Sequence, residues 1–210
     1  MIILYNYKTI KKEDNCEFIE KKSRFICYAC PVTNEQQALD FIAKISKKHY
    51  DATHNVYAYV LKENNIRRYS DDGEPSGTAG VPVLDVILKE NLVDVCLVVT
   101  RYFGGTLLGA GGLVRAYSKS AKLGVDTSGI LERMYCYCYE IDADYTLLGK
   151  IQNEIMSYGC ILGETLYTDK VTVKCFVPYH ITDFSEKLTD ATNGKVKINT
   201  HSEGRFVDVN

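Results

Sequence analysis

From Tyr135 to Asp142 apolar and polar positions alternate, with Tyr135, Tyr137, Tyr139 and Ile141 on one face and Cys136, Cys138, Glu140 and Asp142 on the other. A period of two is that of a strand. The pattern then changes to 3-4-3 spacing through Leu148, Ile151, Ile155 and Tyr158, which predicts a helix capped by Asp144 and ended by Gly159. A strand is expected over Ile161–Tyr167, a hairpin turn at Thr168-Asp169, and a strand with Val171, Val173, Cys175 and Val177 on one face. A second helix carries Ile181, Phe184, Leu188 and Ala191 and ends at Asn193-Gly194, and Val196–Phe206 closes as a strand. The order is βαββαβ, the ferredoxin-like pattern.

The first half is α+β as well, but less regular. Arg24–Val32 reads as a strand, and Thr33 with Gln36 as a capping box for a helix with Ala38, Phe41, Ile42 and Ile45 inward. His54–Leu61 and Ile66–Ser70 form a hairpin over Lys62–Asn65, Val93–Arg101 is a buried strand, and a helix follows from Gly109 to Lys122. Asp126–Gly129 is the expected linker. The chain therefore reads as two α+β domains, residues 1–130 and 131–210.

Composition narrows the classes. No apolar run approaches the roughly 20 residues that span a bilayer, and the N-terminal MIILYNYKTIKKED turns charged after four apolar residues, unlike a secretory peptide. No membrane association is expected, and the expected location is the cytoplasm. The eight cysteines lie inside apolar runs, so they read as small core residues rather than a disulfide framework. Cys27 and Cys30 have C-x-x-C spacing, but no second pair completes a zinc site, and residues three apart in a strand face opposite sides. The net charge of −2 is split: residues 1–130 carry 17 Lys+Arg against 15 Asp+Glu, or +2, and residues 131–210 carry 8 against 12, or −4. An anionic partner is thereby favoured for the first half.

Two segments have compositions that a core does not require. Arg67 to Gly80 holds Arg67, Arg68, Asp71, Asp72 and Glu74 among glycines and hydroxyls, which marks a surface loop. Its three carboxylates are candidate ligands for Mg²⁺ or Ca²⁺. The alternative is a solvated turn leading into a helix capped by Ser76 or Thr78. The second segment, Thr100 to Ser118, runs from a strand through Gly104, Gly105, Gly109, Gly111 and Gly112 into a helix whose first turn is nearly bare. Open N–H groups and the helix dipole suit an anion there, with Arg101 or Arg115 nearby. Glycines in that place equally permit close helix–strand packing. Neither standard nucleotide motif is met, since Ala110-Gly111 stands where the P-loop has Lys-Ser/Thr, and the third glycine of the dinucleotide fingerprint is absent. His54 reaches the acidic loop only if the hairpin places it there, and spacing alone assembles no nucleophile, acid and base.

SRFICYACPV (23–32), HNVYAYVL (54–61), YSDDGEPSGTAGVPVL (69–84) and VVTRYFGGTLLGAGGLVRAYSKSA (98–121) resemble the characteristic stretches of the IMPACT/YigZ family, in the family's order. The part after Met134 is similar to the ferredoxin-like extension of bacterial members. The resemblance implies a first domain similar to domain IV of elongation factor G and a second similar to its domain V. It implies a link to translation, with RNA, the ribosome or a protein of translation control as partner, but not the starvation-kinase role of eukaryotic members, whose additional protein-binding domain has no counterpart here. The family's motif positions fall on Asp71, Asp72, Glu74, Ser76, Gly77, Arg101, Gly104, Gly105, Gly109, Gly111, Gly112 and Arg115.

Three readings follow. In the first, a non-catalytic protein without a cofactor contacts RNA or the ribosome through Arg67, Arg68, Ser76, Thr78, Arg101, Arg115 and the glycine-rich helix start. In the second, an enzyme acts on a phosphorylated small molecule with a metal held by Asp71, Asp72 and Glu74 beside that helix start. The third is a protein-binding regulator that uses no nucleic acid. The first two place the acidic loop and the glycine-rich turn side by side around one cleft, and in the first a buried Arg101 at the strand end pairs with one of Asp71, Asp72 and Glu74 while phosphate binds weakly at the helix start.

Overall fold

Val95 to Val99 form an unbroken apolar run with no solvent contact on either face, and one domain is arranged around them. The computed structural model describes residues 6–201 and 203–209 and has a mixed α+β architecture of two domains. The first domain, Tyr7–Leu131, holds β1 (Asn6–Ile10), β2 (Asp14–Glu20), β3 (Ser23–Pro31), α1 (Glu35–Lys48), β4 (His54–Leu61), β5 (Ile66–Ser70), α2 (Gly80–Lys89), β6 (Val95–Tyr102) and α3 (Ala110–Ser128). Its sheet runs β2-β3-β6-β4-β5, with every neighbouring pair antiparallel.

Alternation along β6 explains why its run needs cover on both sides. Val95, Leu97 and Val99 join Phe25, Cys27, Val56 and Ala58 beneath α2 and α3, whereas Cys96 and Val98 join Tyr28, Tyr59, Phe41 and Ile45 beneath α1. Gly124 lets α3 lie against β3, because a Cβ there would collide with the Cys27 thiol. On the α1 side His49 is buried in a chain of hydrogen bonds. Tyr102 donates to Asp51 at 3.0 Å, so His49 Nδ1 donates to Tyr102 and Nε2 accepts from Tyr28, at 2.9 and 2.7 Å. Burial, with help from Lys48 and Arg24, pushes the His49 imidazole below its ordinary value against the pull of Asp51.

Several local expectations shift. The capping box sits one residue later: Asn34 accepts from the Gln37 N–H at 2.9 Å, and Gln37 accepts from the Thr33 N–H at 2.8 Å. The expected linker Asp126–Gly129 is the last turn of α3, and the domain boundary falls after Leu131. Neither Ser76 nor Thr78 caps the helix after the acidic loop; α2 begins beyond Ala79, and its first N–H groups donate to Asp71 instead.

The second domain runs from Glu132 onward, with Asn6. It takes β7 (Ile130–Ala143) from the boundary, then α4 (Leu148–Ser157), β8 (Ile161–Tyr167), β9 (Val171–Pro178), α5 (Phe184–Ala191), β10 (Lys197–Thr200) and β11 (Arg205–Asp208). The strand order β10-β7-β9-β8, antiparallel throughout, is that of a ferredoxin-like sheet. Ile151, Ile155, Phe184 and Leu188 pack on Ile141, Val171, Val173, Cys175 and Val177. Asp144 makes no side-chain cap; a 3-10 turn, Tyr145–Leu147, precedes α4, and Ile181 lies ahead of α5 rather than in it. The strand expected over Val196–Phe206 is two strands, both paired with β7, and its Ser202 lies outside the described residues. Gly204, between them, packs so closely on the Tyr135 ring that a Cβ would overlap it.

All eight cysteines are free thiols, and Cys27 and Cys30 lie on opposite sides of β3. Burial pushes Cys27 well up, and Cys30 to about 11.

Two outcomes follow. Gly124→Val drives a branched side chain into Cys27 and should cost about 1–3 kcal/mol in urea unfolding; an unchanged midpoint would mean that α3 does not rest on β3 through this glycine. The unfolded chain binds a proton on His49 at higher pH than the folded chain does. That contribution to stability is therefore complete above about 6.5 and is lost as pH falls below it. Urea midpoints from pH 7.5 to 5.5 should fall for the wild type and fall less for His49→Asn.

Candidate functional site

β6 ends by delivering Arg101 into the protein rather than to its surface. Arg101 is 5 % exposed, and its guanidinium lies 5.4 Å from the Phe25 ring and 5.6 Å from the Phe103 ring. A cation so placed needs an anion. Glu74, from the acidic loop, supplies it: Arg101 Nη1 donates to Glu74 Oε1 at 2.6 Å, and the Tyr117 hydroxyl of α3 donates to the same oxygen at 2.7 Å. Burial, and then the neighbouring Glu74 charge, push the Tyr117 phenol far above its ordinary value, so it remains a donor. Arg101 Nη2 donates to the Ser23 hydroxyl at 3.3 Å, and among the described residues Nε has no hydrogen-bond partner.

Ser23 extends this cluster to the turn between β2 and β3. Fully buried, it also accepts from the Gly104 N–H at 3.2 Å. Gly104 packs directly on the backbone of Lys22 and Ser23, where any Cβ would overlap main-chain atoms. The turn residues Lys21 and Lys22 hold φ of 45° and 67°, and both are exposed. Two lysines about 80 positions upstream are thus fixed beside the glycine-rich turn.

The acidic loop is latched from within. Burial opposes the charge of Asp71, yet backbone N–H groups of Gly77, Gly80 and Ala79, at 2.9, 2.8 and 3.1 Å, hold its carboxyl below the ordinary value. Asp72, with φ of 44°, accepts from the Asn55 N–H, and its carbonyl contacts His54 Nδ1 at 2.7 Å. His54 Nε2 stands 3.8 Å from Glu74 Oε2. The three carboxylates proposed as metal ligands are therefore directed at separate protein donors. Among the described residues no group of three or more His, Cys, Asp or Glu side chains is placed to hold a metal.

The loop and the glycine-rich turn line one cavity of about 400 Å³. Gly73, Glu74 and Pro75 come from the loop, Arg101 and Phe103 from the end of β6, Leu107 to Ala110 and Leu113 from the turn and the start of α3, and Thr53 and His54 from the start of β4. Gly109, with φ of 72°, precedes α3 without a side-chain cap, and the first intrahelical bond runs from the Leu113 N–H to the Gly109 carbonyl. The N–H groups of Ala110, Gly111 and Gly112 are thus those a helix leaves open at its start. Arg115 is exposed, its guanidinium 3.6 Å from where a Gly111 Cβ would stand.

Of the residues singled out in the sequence, Arg101 and Gly109 line the cavity, Gly111, Gly112 and Arg115 flank it on α3, and Gly104 and Gly105 form the turn before it. Arg101 is a member of a buried ion pair rather than a surface phosphate contact. Thr78 is buried, its hydroxyl donating to the Pro75 carbonyl at 2.6 Å, and Ser76 is exposed in the same loop. Arg67 and Arg68 are exposed on the edge strand β5 and do not line the cavity. Lys21, Lys22, Ser23 and Tyr117 carry no signal in spacing, since their roles arise from pairings 40 to 80 residues long.

An Impact N-terminal domain model matches residues 21–125, and the model of a domain of unknown function, DUF1949, matches residues 141–195. The chain is 49 % identical over 198 residues to the IMPACT family member YvyE of Bacillus subtilis, covering 93 % of this chain and 91 % of that one. To the IMPACT family member YigZ of Escherichia coli it is 30 % identical over 182 residues, covering 85 % and 89 %. Protein IMPACT of Bos taurus is 36 % identical over 96 residues, which is 43 % of this chain and 30 % of that protein. A solved crystal structure of a hypothetical protein aligns with a TM-score of 0.60 at 27 % identity, covering 93 % and 97 %.

Removing one partner of a buried ion pair leaves the other uncompensated, so Glu74→Ala should lose about 3–5 kcal/mol in urea unfolding. Tyr117→Phe, which deletes one hydrogen bond to a charged acceptor, should lose about 1.5–3 kcal/mol. A Glu74→Ala protein as stable as the wild type would mean that the pair does not hold the site together.

Proposed function

Because the chain belongs to the IMPACT family, we propose that it is a translation-linked, non-catalytic protein that contacts RNA or the ribosome through its first domain. One observation carries the reading: each loop carboxylate accepts from at least one protein donor, while among the described residues the side chains of Lys21, Lys22 and Arg115 have no anionic partner. Glu74 neutralises Arg101 in the interior, and neither Asp71 nor Asp72 lines the cavity. Lys21 and Lys22 remain exposed on one side of the turn, and Arg115 with the α3 amides on the other. A basic surface around an open helix start is suited to a phosphate backbone. A cytoplasmic location accords with this reading. The kinase-pathway role of eukaryotic members is not part of it.

The metal-dependent enzyme is the second reading, and the loop gives it little support. Asp71, Asp72 and Glu74 would each have to release N–H or guanidinium partners before they could converge on an ion. Arg67 and Arg68 stay in the proposal as an outlying pair on the edge strand, with Ser76 as a further exposed hydroxyl.

The test is co-sedimentation with ribosomes, and binding to the RNA recovered, across a salt series. Affinity should fall steeply with salt. Lys21→Ala/Lys22→Ala should weaken binding about tenfold or more and reduce the logarithmic salt slope by about 1.5, since each single-stranded phosphate contact contributes about 0.7. Arg67→Ala/Arg68→Ala should reduce it less. Absence of binding at low salt, or binding indifferent to salt, would overturn the proposal and leave a protein partner ahead.

A further inference from the structure

The polar floor of the cavity contains a pairing that the protein does not complete. His54 Nδ1 faces the Asp72 carbonyl, which only accepts, so Nδ1 carries the hydrogen, and in the neutral form of the ring Nε2 is an acceptor. Nε2 lies 3.8 Å from Glu74 Oε2, beyond hydrogen-bond distance. Glu74 Oε1 receives both Arg101 and Tyr117, and among the described residues no donor reaches Oε2. Two acceptors 3.8 Å apart on a cavity floor are both met by a group with two hydrogens that sits above the pair, at hydrogen-bond distance from each.

The rest of the cavity states what carries such a group. Its walls are apolar, from Phe103, Leu107, Leu108 and Leu113. Two of these, Phe103 and Leu107, are 46 % and 82 % exposed, so the apolar wall is open to solvent. Ala110, the first residue of α3, lines the same cavity, and the helix start has no side-chain cap, so its first N–H groups lack an intrahelical partner. The volume of about 400 Å³ falls in the range of small-ligand sites. A hydrogen-bond donor for the floor, an apolar body for the walls and an anion for the helix start are together the parts of a nucleotide.

We infer that this cavity binds a nucleoside monophosphate unit whose base bears an exocyclic amino group. The amino group donates to Glu74 Oε2 and His54 Nε2, the base lies against Phe103, and the phosphate lies at the amides of Ala110, Gly111 and Gly112. The unit has two possible sources, a free nucleotide or an unstacked residue of RNA. Adenine and cytosine meet the floor with N–H donors, whereas uracil and hypoxanthine bring a carbonyl oxygen to two acceptors. The inference deepens the RNA reading and rests on it for the second source only.

Calorimetric titration of the full chain with AMP, IMP, CMP and UMP tests the site, and hexamers of A and of U test the source. AMP should bind at least tenfold tighter than IMP, and CMP than UMP. Phe103→Ala should weaken AMP at least tenfold. Gly111→Asp places a carboxylate in the first turn of α3, where it favours the helix but repels phosphate. It should abolish AMP binding with the melting temperature held or raised, a result that loss of folding could not produce. Tighter binding of the A hexamer than of AMP assigns the source to RNA, and equal affinity assigns it to the free nucleotide. Equal affinity for AMP and IMP, or AMP binding unaffected by both variants, overturns the site. If ribosomal RNA still binds with a steep salt slope after that outcome, the RNA proposal stands without this cavity.

Discussion

A guanidinium and a carboxylate buried together, Arg101 and Glu74, hold four distant stretches of the chain in one place. Arg101 belongs to the central strand, Glu74 to the acidic loop, Tyr117 to the long helix and Ser23 to the first hairpin, and all meet within hydrogen-bond distance. Such a pair repays its desolvation only if the remaining lone pairs and hydrogens are also met. Tyr117 and Ser23 supply much of that, and two aromatic rings beside the guanidinium supply more. Geometry at the cavity is therefore set by an interaction with little freedom to drift.

The same pair decides the electrostatic character of the surface above it. A loop with three carboxylates looks acidic in one dimension. Folded, it turns one carboxylate onto Arg101, wraps another in backbone N–H groups and ties the third to the start of β4. The neighbouring hairpin, which reads in the sequence only as a pair of lysines ahead of a strand, becomes the basic rim of the turn that Gly104 presses against it.

What was legible in the sequence is what depends on near neighbours. The hairpin over residues 54–70 and the βαββαβ order of the second domain follow from alternation, 3-4-3 stripes and turn residues, all of which act over fewer than ten positions. β2 carries no clear strand signal, because its seven residues interleave Cys16 and Phe18 with charges in an edge strand that is only half buried. The cap of α1 was displaced by one residue because Asn34 competes with Thr33 for the same role, and local spacing does not decide between them. The resemblance marks the acidic loop and the glycine-rich turn, and the expected pairing of a buried Arg101 with a loop carboxylate is met by Glu74, but spacing does not say which of the three carboxylates it is. That depends on the register of β6 against β3 and β4, which places Arg101 opposite Phe25 and His54. Ser23 and Lys22 became relevant for the same reason.

Six of the eight free thiols are buried and act as internal clocks. Cys27 and Cys96 lie on opposite faces of the first domain's sheet, and Cys175 lies in the core of the second. Burial raises the pKa of all three, so each is silent towards alkylating reagents while its surroundings are closed. The rate at which each becomes modified measures how often that particular layer opens. A single native chain thus reports the breathing of both helix layers and of both domains, without a label having been introduced anywhere.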